Sequence, residues 1–147
     1  MIITENVYNA IMKSYSAAPP ENGGILGEKN GIICAYVHDQ KVQTREAAIY
    51  EPDIEFLNEQ IEKWAEQSIM FAGIIHSHMV GQESLSVADI EYAEKMFWAN
   101  PGLRKMFFPL IIPGHDIFVY EIRTEKDKVI VETDSLVVQK EGGENNG

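Results

Sequence analysis

The chain has 147 residues, 45% of them hydrophobic and 10% aromatic, enough to build one domain with a real core. Its 23 acidic and 12 basic residues give a formal charge of −11, which argues against nucleic acid or an anionic membrane as partner. No apolar run approaches the ~20 residues of a membrane span.

Met1-Ile2-Ile3-Thr4-Glu5 has neither a basic n-region nor an apolar h-region, so no signal peptide is expected. One cysteine, Cys34, excludes an internal disulfide and fits a reducing compartment, so the expected location is cytoplasmic. Cys34 sits in I-I-C-A-Y-V and reads as a small core residue.

In chain order, Met1 to Ile3 suit a short edge strand, and Thr4 can cap a helix running to about Ala17. Val7, Ala10, Ile11 and Ser14 form the expected inner stripe of that helix, and Ala18-Pro19-Pro20 stops it. Gly23 to Gly27 and Ile32 to His38 predict a hairpin around Asn30-Gly31. Gln40 to Ala48 reads as another strand. Glu51-Pro52-Asp53 opens a second helix, with Ile54, Leu57, Ile61 and Trp64 as its core stripe. The glutamates of this helix read as a solvated face, with docking of a basic partner as the functional alternative. Met70 to His76 is a nearly continuous apolar run and suits a strand buried on both faces. Ser86 opens a third helix, ending near Trp98 before Asn100-Pro101-Gly102. Phe107 to Ile112 and Ile117 to Arg123 are further strands, and Val129 to Val138 is a last strand pair or one long strand. Residues 1–140 thus form one domain, and the acidic tail 141–147 (E-G-G-E-N-N-G) is expected to be disordered. The element order implies an α/β fold, a single mixed, curved sheet flanked by about three helices.

One stretch carries chemistry: I-I-H-S-H-M-V-G-Q-E-S-L-S-V-A-D, from Ile74 to Asp89. Residues i and i+2 of a strand point to the same side, so His76 and His78 aim two imidazoles at one point while Ser77 faces away. Ser86 is a good helix cap, and Asp89 in the first turn points back past the helix start. A strand end with two histidines and a helix start with one carboxylate can converge on a metal. Three N/O ligands with a fourth position left to water are the catalytic rather than the structural zinc pattern. Taken singly, H-x-H is more often two polar residues near a strand end, and S-x-x-D only a capping box. Together, H-x-H-x7-S-x2-D should arise by chance in a chain this long well under about one time in a thousand.

H-S-H followed by seven residues and S-V-A-D resembles the JAMM motif of the MPN/JAB metalloprotease family. The family's upstream glutamate, in a Glu-x-x-Gly setting before an apolar strand, matches Glu21 in E-N-G-G-I-L-G. Two departures are visible: Gly27 comes about one residue early, and Met79 stands where the family usually has proline. The resemblance implies the cytidine-deaminase-like sandwich of the MPN/JAB fold. It also implies one zinc ion per chain on His76, His78 and Asp89, with Glu21 as general base and Ser86 as oxyanion donor. The reaction implied is cleavage of a peptide or isopeptide bond, with a protein or peptide substrate bearing an extended, ubiquitin-like or sulfur-carrier C-terminal tail. Three alternatives stand beside it: a metal-free MPN-type binding scaffold, a zinc hydrolase of small amides, and iron in place of zinc on the same two histidines and carboxylate. Ser84 and Glu83 read as solvent-facing, Ser77 as a hydrogen-bonding residue behind the metal, and His38 and His115 as ordinary histidines at a strand end and a turn.

Overall fold

The computed structural model describes residues 1–15, 22–39, 52–79, 81–112, 114–115 and 117–140. The expected strand at Gln40–Ala48, the tail 141–147 and Glu21 lie outside the described residues.

Strand β1 (Ile2–Thr4) leads directly into helix α1 (Glu5–Ser14), whose first turn is capped by the Thr4 hydroxyl accepting from the Val7 N–H. Val7 and Ile11, four residues apart, are its buried stripe, and Ala10, expected beside them, is exposed. β2 (Gly23–Lys29) and β3 (Ile32–His38) form the expected hairpin. Its turn residues Asn30 and Gly31 have φ of 54° and 80°, the left-handed pair that a two-residue turn between right-twisted strands requires.

Helix α2 (Ile54–Glu66) is capped by Asp53, whose carboxylate accepts from the Phe56 N–H, so Pro52 stands before the cap rather than inside the helix. Leu57 and Trp64 are its buried residues, and Ile54, the first residue of the helix and expected in its core stripe, is 58% exposed. β4 (Met70–Ser77) follows, and then helix α3 (Val87–Ala99). The strand expected over Phe107–Ile112 is two short ones, β5 (Lys105–Phe107) and β6 (Leu110–Ile111). Pro109, which has no N–H to donate to a ladder, lies in the break. β7 (Ile117–Glu125) pairs antiparallel with both. Of the two alternatives for Val129 to Val138, two strands are found: β8 (Lys128–Asp134) on β7, and β9 (Val137–Gln139) parallel to β1. β1 is therefore not an edge, since it lies between β3 and β9.

These nine strands make one mixed sheet in the order β5-β7-β6-β4-β2-β3-β1-β9, with β8 on β7. α1 packs on one face through Val7 and Ile11, against Leu26, Ile33 and Ile75. α2 and α3 cover the other through Leu57, Trp64, Ala93 and Phe97, against Ile25, Ile74 and Phe108. The fold class is the expected mixed α/β sheet with three helices.

β4 sits at the centre, antiparallel to β2 and parallel to β5 and β6. Its Gly73 is needed there: a Cβ would lie 2.1 Å from the carbonyl oxygen of Phe107 on the neighbouring strand. Among the described residues no helix is long and apolar enough to cross a membrane.

Candidate metal centre

Alternation along β4 decides which residues face which layer. Ile75 packs on the α1 side, whereas Ile74 belongs to the cluster beneath α2 and α3. His76 follows Ile74 to that side, where its ring meets Phe108 edge-on at 5.1 Å. His78, just past the end of the strand, keeps its place because its N–H donates to the carbonyl of Ile111 at 2.9 Å. The two rings meet edge to face, with centroids 4.6 Å apart. Asp89 comes to them from the first turn of α3. All three residues are buried.

The ligand atoms converge closely. His76 Nε2 lies 2.9 Å from His78 Nε2 and 3.1 Å from Asp89 Oδ1, and His78 Nε2 lies 3.3 Å from Asp89 Oδ2. Ligands held ~2.0–2.1 Å from one tetrahedral zinc lie roughly 3.3 Å from one another, so the spacing suits a single ion. Proton counting points the same way. His78 Nδ1 faces the carbonyl of Gln82 at 2.9 Å. A carbonyl can only accept, so Nδ1 carries a proton toward Gln82 and Nε2 is the nitrogen turned inward. Burial pushes the His76 imidazole below its ordinary pKa, toward the neutral form with one N–H. Burial alone would raise the Asp89 carboxyl, but its contacts with His76 and His78 and the Ser86 N–H outweigh this and hold it well below the carboxylate range. Two imidazole nitrogens and a carboxylate thus face one another within 2.9–3.3 Å. A cation at their centre satisfies all three, and the group could hold a metal ion.

Ser86 and Asp89 also form a full capping box. The Ser86 hydroxyl accepts from the Asp89 N–H at 3.1 Å, and Asp89 Oδ2 accepts from the Ser86 N–H at 2.8 Å. This fixes the carboxylate and leaves the Ser86 O–H proton free to point elsewhere. A cavity of about 90 Å³ opens beside His76 and Asp89, walled by Pro52, Ile74, Tyr92 and Phe108.

Two supports were not foreseen from the sequence. Tyr120 of β7 donates its O–H to the carbonyl of Glu83 at 2.6 Å, so the loop between β4 and α3 is held at Gln82 and again at Glu83. Asp39, 3% exposed, accepts the Asp53 N–H at 2.8 Å and donates its own N–H to Gly23, the residue opposite His76, tying the start of α2 to the sheet beside the site. A lone acid after an apolar strand carries no signal that would have marked it. Ser77 faces away from the site as expected, and its partner is specific. Its N–H donates to the Asn22 carbonyl at 2.8 Å, and its hydroxyl accepts the Asn22 N–H at 2.9 Å and reaches the Asn22 carbonyl at 3.3 Å. His38 is not part of the group, lying instead on the α1 side against Tyr36 and Tyr15, and His115 is exposed. Glu83 and Ser84 are exposed, as expected.

No family model and no curated protein matches the chain. Among solved structures it is similar to a protein from Desulfitobacterium hafniense, with a TM-score of 0.65 at 15% identity over 96% of this chain and 94% of that one. It is also similar to a protein from Salinibacter ruber, with a TM-score of 0.57 at 16% identity over 95% and 92% of the two chains. A JAB1/MPN domain protein from Archaeoglobus fulgidus aligns with a TM-score of 0.49 at 16% identity over 94% and 98%. At such identities the likeness to the first two, which runs over nearly the whole of both chains, is one of fold.

Proposed function

We propose that the protein is a zinc-dependent hydrolase of JAMM type that cleaves a peptide or isopeptide bond at the extended C-terminal tail of a ubiquitin-like or sulfur-carrier protein. One observation carries this reading: His76 Nε2, His78 Nε2 and Asp89 Oδ1 and Oδ2 meet at 2.9–3.3 Å, and all three residues are buried. A purely structural cluster has no need of that arrangement, and three buried ligands suit a catalytic site that keeps one position open.

In this reading His76, His78 and Asp89 hold the ion. Zinc there would supply Lewis acidity and bring the pKa of a coordinated water toward ~7. Glu21 takes a proton as general base and returns it to the departing amine. Ser86, its oxygen already accepting from Asp89, donates its hydroxyl proton to the developing oxyanion. His78 is held in its ligating tautomer by the Gln82 carbonyl, which Tyr120 flanks at Glu83. The single cysteine supports a reducing, cytoplasmic location in this reading.

Elemental analysis of the purified protein tests the reading. About one zinc per chain is expected for the parent and none for Asp89→Ala. The parent should trim ubiquitin-like precursors with extended tails, and chelation should stop it. Absence of metal from the parent after dialysis against zinc would overturn the hydrolase reading in favour of a binding scaffold.

A further inference from the structure

A second concave surface lies on the α2/α3 face, away from the metal ligands. It is a groove of about 360 Å³ between the C-terminal half of α2, the start of β4 and the end of α3. Its walls are apolar: Ile61, Ile69, Met70, Phe71, Met96 and Leu103. Met70 is 64% exposed, an unusual place for a large apolar side chain at the head of a central strand. Six residues of extended chain separate Met70 from His76, or about 20 Å. An occupant would therefore leave the metal ligands open.

The charge along the lip of the groove says what fits it. On α2, Asn58, Ile61 and Ala65 line the groove. Glu55, Glu59, Glu62 and Glu66 recur at 4-3-4 spacing and make one continuous exposed stripe. Glu62 lies one turn beyond Asn58, and Glu66 is next to Ala65, so the acidic stripe borders the apolar one directly. The stripe runs eleven residue steps from Glu55 to Glu66, about 16 Å, or three helical turns. That length exceeds a small ligand and matches an amphipathic helix. A second copy of this chain would bring its own formal charge of −11 against the stripe.

We propose that this groove docks a basic amphipathic helix of a partner protein, its apolar side chains between Met70, Met96 and Leu103 and its Lys or Arg row along the glutamates of α2. Methionines suit such a wall because they repack around different apolar shapes, and a helix laid in an apolar groove is a common mode of peptide recognition. The docking does not depend on the hydrolase reading and is tested apart from it.

The test uses the full chain and a synthetic 14-residue helical peptide with one leucine face and one lysine face. Binding is read by methyl NMR and by the fluorescence of Trp64, which packs beside Ile69 over Gly27. Saturable binding is expected, with shifts concentrated at Ile61, Ile69, Met70, Met96 and Leu103. Met70→Glu changes an exposed side chain and should weaken binding roughly tenfold. Glu59→Lys with Glu62→Lys should weaken it further and flatten its salt dependence. His78→Ala should bind the peptide as the parent does. Equal binding by the parent and Met70→Glu, shifts spread over the whole acidic surface, or contacts between the groove methyls and the chain's own residues 40–51 would each overturn the proposal.

Discussion

Ser77→Ala isolates how the central strand is tied to the segment that follows Glu21. The serine hydroxyl accepts the Asn22 N–H at 2.9 Å and reaches the Asn22 carbonyl at 3.3 Å, while the backbone bond from Ser77 N–H to the same carbonyl, 2.8 Å, survives the substitution. One good neutral hydrogen bond and one long one are lost, about 1–2 kcal/mol together. Alanine fills nearly the same volume, so no cavity term is added. Each kcal/mol moves the midpoint of a chain this size by roughly 2–4 °C, so Tm should fall by about 2–8 °C. Zinc content should not change, because the Ser77 side chain turns to Asn22 on the opposite side of β4 from the imidazoles. Amide exchange at Asn22 should accelerate, and on any substrate the protein cleaves kcat should fall with zinc in place. Two measurements decide the matter, a thermal melt and the zinc content of the same preparation. Unchanged Tm and unchanged Asn22 exchange would show that the clamp holds nothing. Loss of zinc would show that Ser77 supports the ligands rather than the segment behind them.

Other perturbations give equally definite outcomes. Gly73→Ala places a Cβ 2.1 Å from the Phe107 carbonyl oxygen, a backbone atom that cannot swing aside, and should cost about 3 kcal/mol or more by chemical denaturation. Wild-type stability in that variant would mean β4 and β5 do not approach as described. Glu21→Gln should retain zinc and abolish turnover; loss of zinc would make Glu21 a ligand and overturn its role as base. His38 is held below the ordinary histidine pKa by burial, partly opposed by the nearby Asp39 charge. Its folded-state pKa lies below the unfolded value of ~6.5, so its contribution to stability is complete above that pH and is lost as pH falls toward the folded pKa. Thermal melts between pH 7 and pH 5 should therefore decline less steeply for His38→Gln than for the parent, and equal slopes would refute the assignment. Tyr120→Phe removes the bond to the Glu83 carbonyl and should lower Tm by a few degrees, about 1 kcal/mol, without loss of zinc.

The convergence of His76, His78 and Asp89 was legible because two local rules determine it. Strand alternation put both imidazoles on one side, and a helix cap aimed Asp89 back past the start of α3. The Asn30-Gly31 hairpin was legible for the same reason, since its two φ values are a property of those residues. Non-local choices were not. Val129 to Val138 reads as a strand pair or one long strand, but nothing in it says that Val129 and Val131 join β7 while Val137 and Val138 pair with Ile2 and Ile3 at the far side of the sheet. Ala10 and Ile54 satisfy a helical stripe by spacing and are exposed because the stripes are narrower and shorter than spacing alone implies. The supports of the site were illegible on principle. Tyr120 acts through the Glu83 carbonyl and His78 leans on the Gln82 carbonyl, and even for Ser77, whose hydrogen-bonding role was expected, the Asn22 backbone was not, since a main-chain partner leaves no mark on the identity of the residue that supplies it.

His76 and Asp89 are thirteen positions apart, and the one chain segment that carries all three buried ligand groups is a strand, a loop and the first turn of a helix. The two sides of that clasp are unequal in stiffness. β4 is laced to β2 on one flank and to β5 and β6 on the other, whereas α3 meets the sheet through side chains such as Ala93 and Phe97. An ion bridging them would staple a soft element to a hard one across a short loop, where closure entropy is small. Its removal would then be felt as fraying of the first turn of α3 and of the loop before it, with the strand left in register.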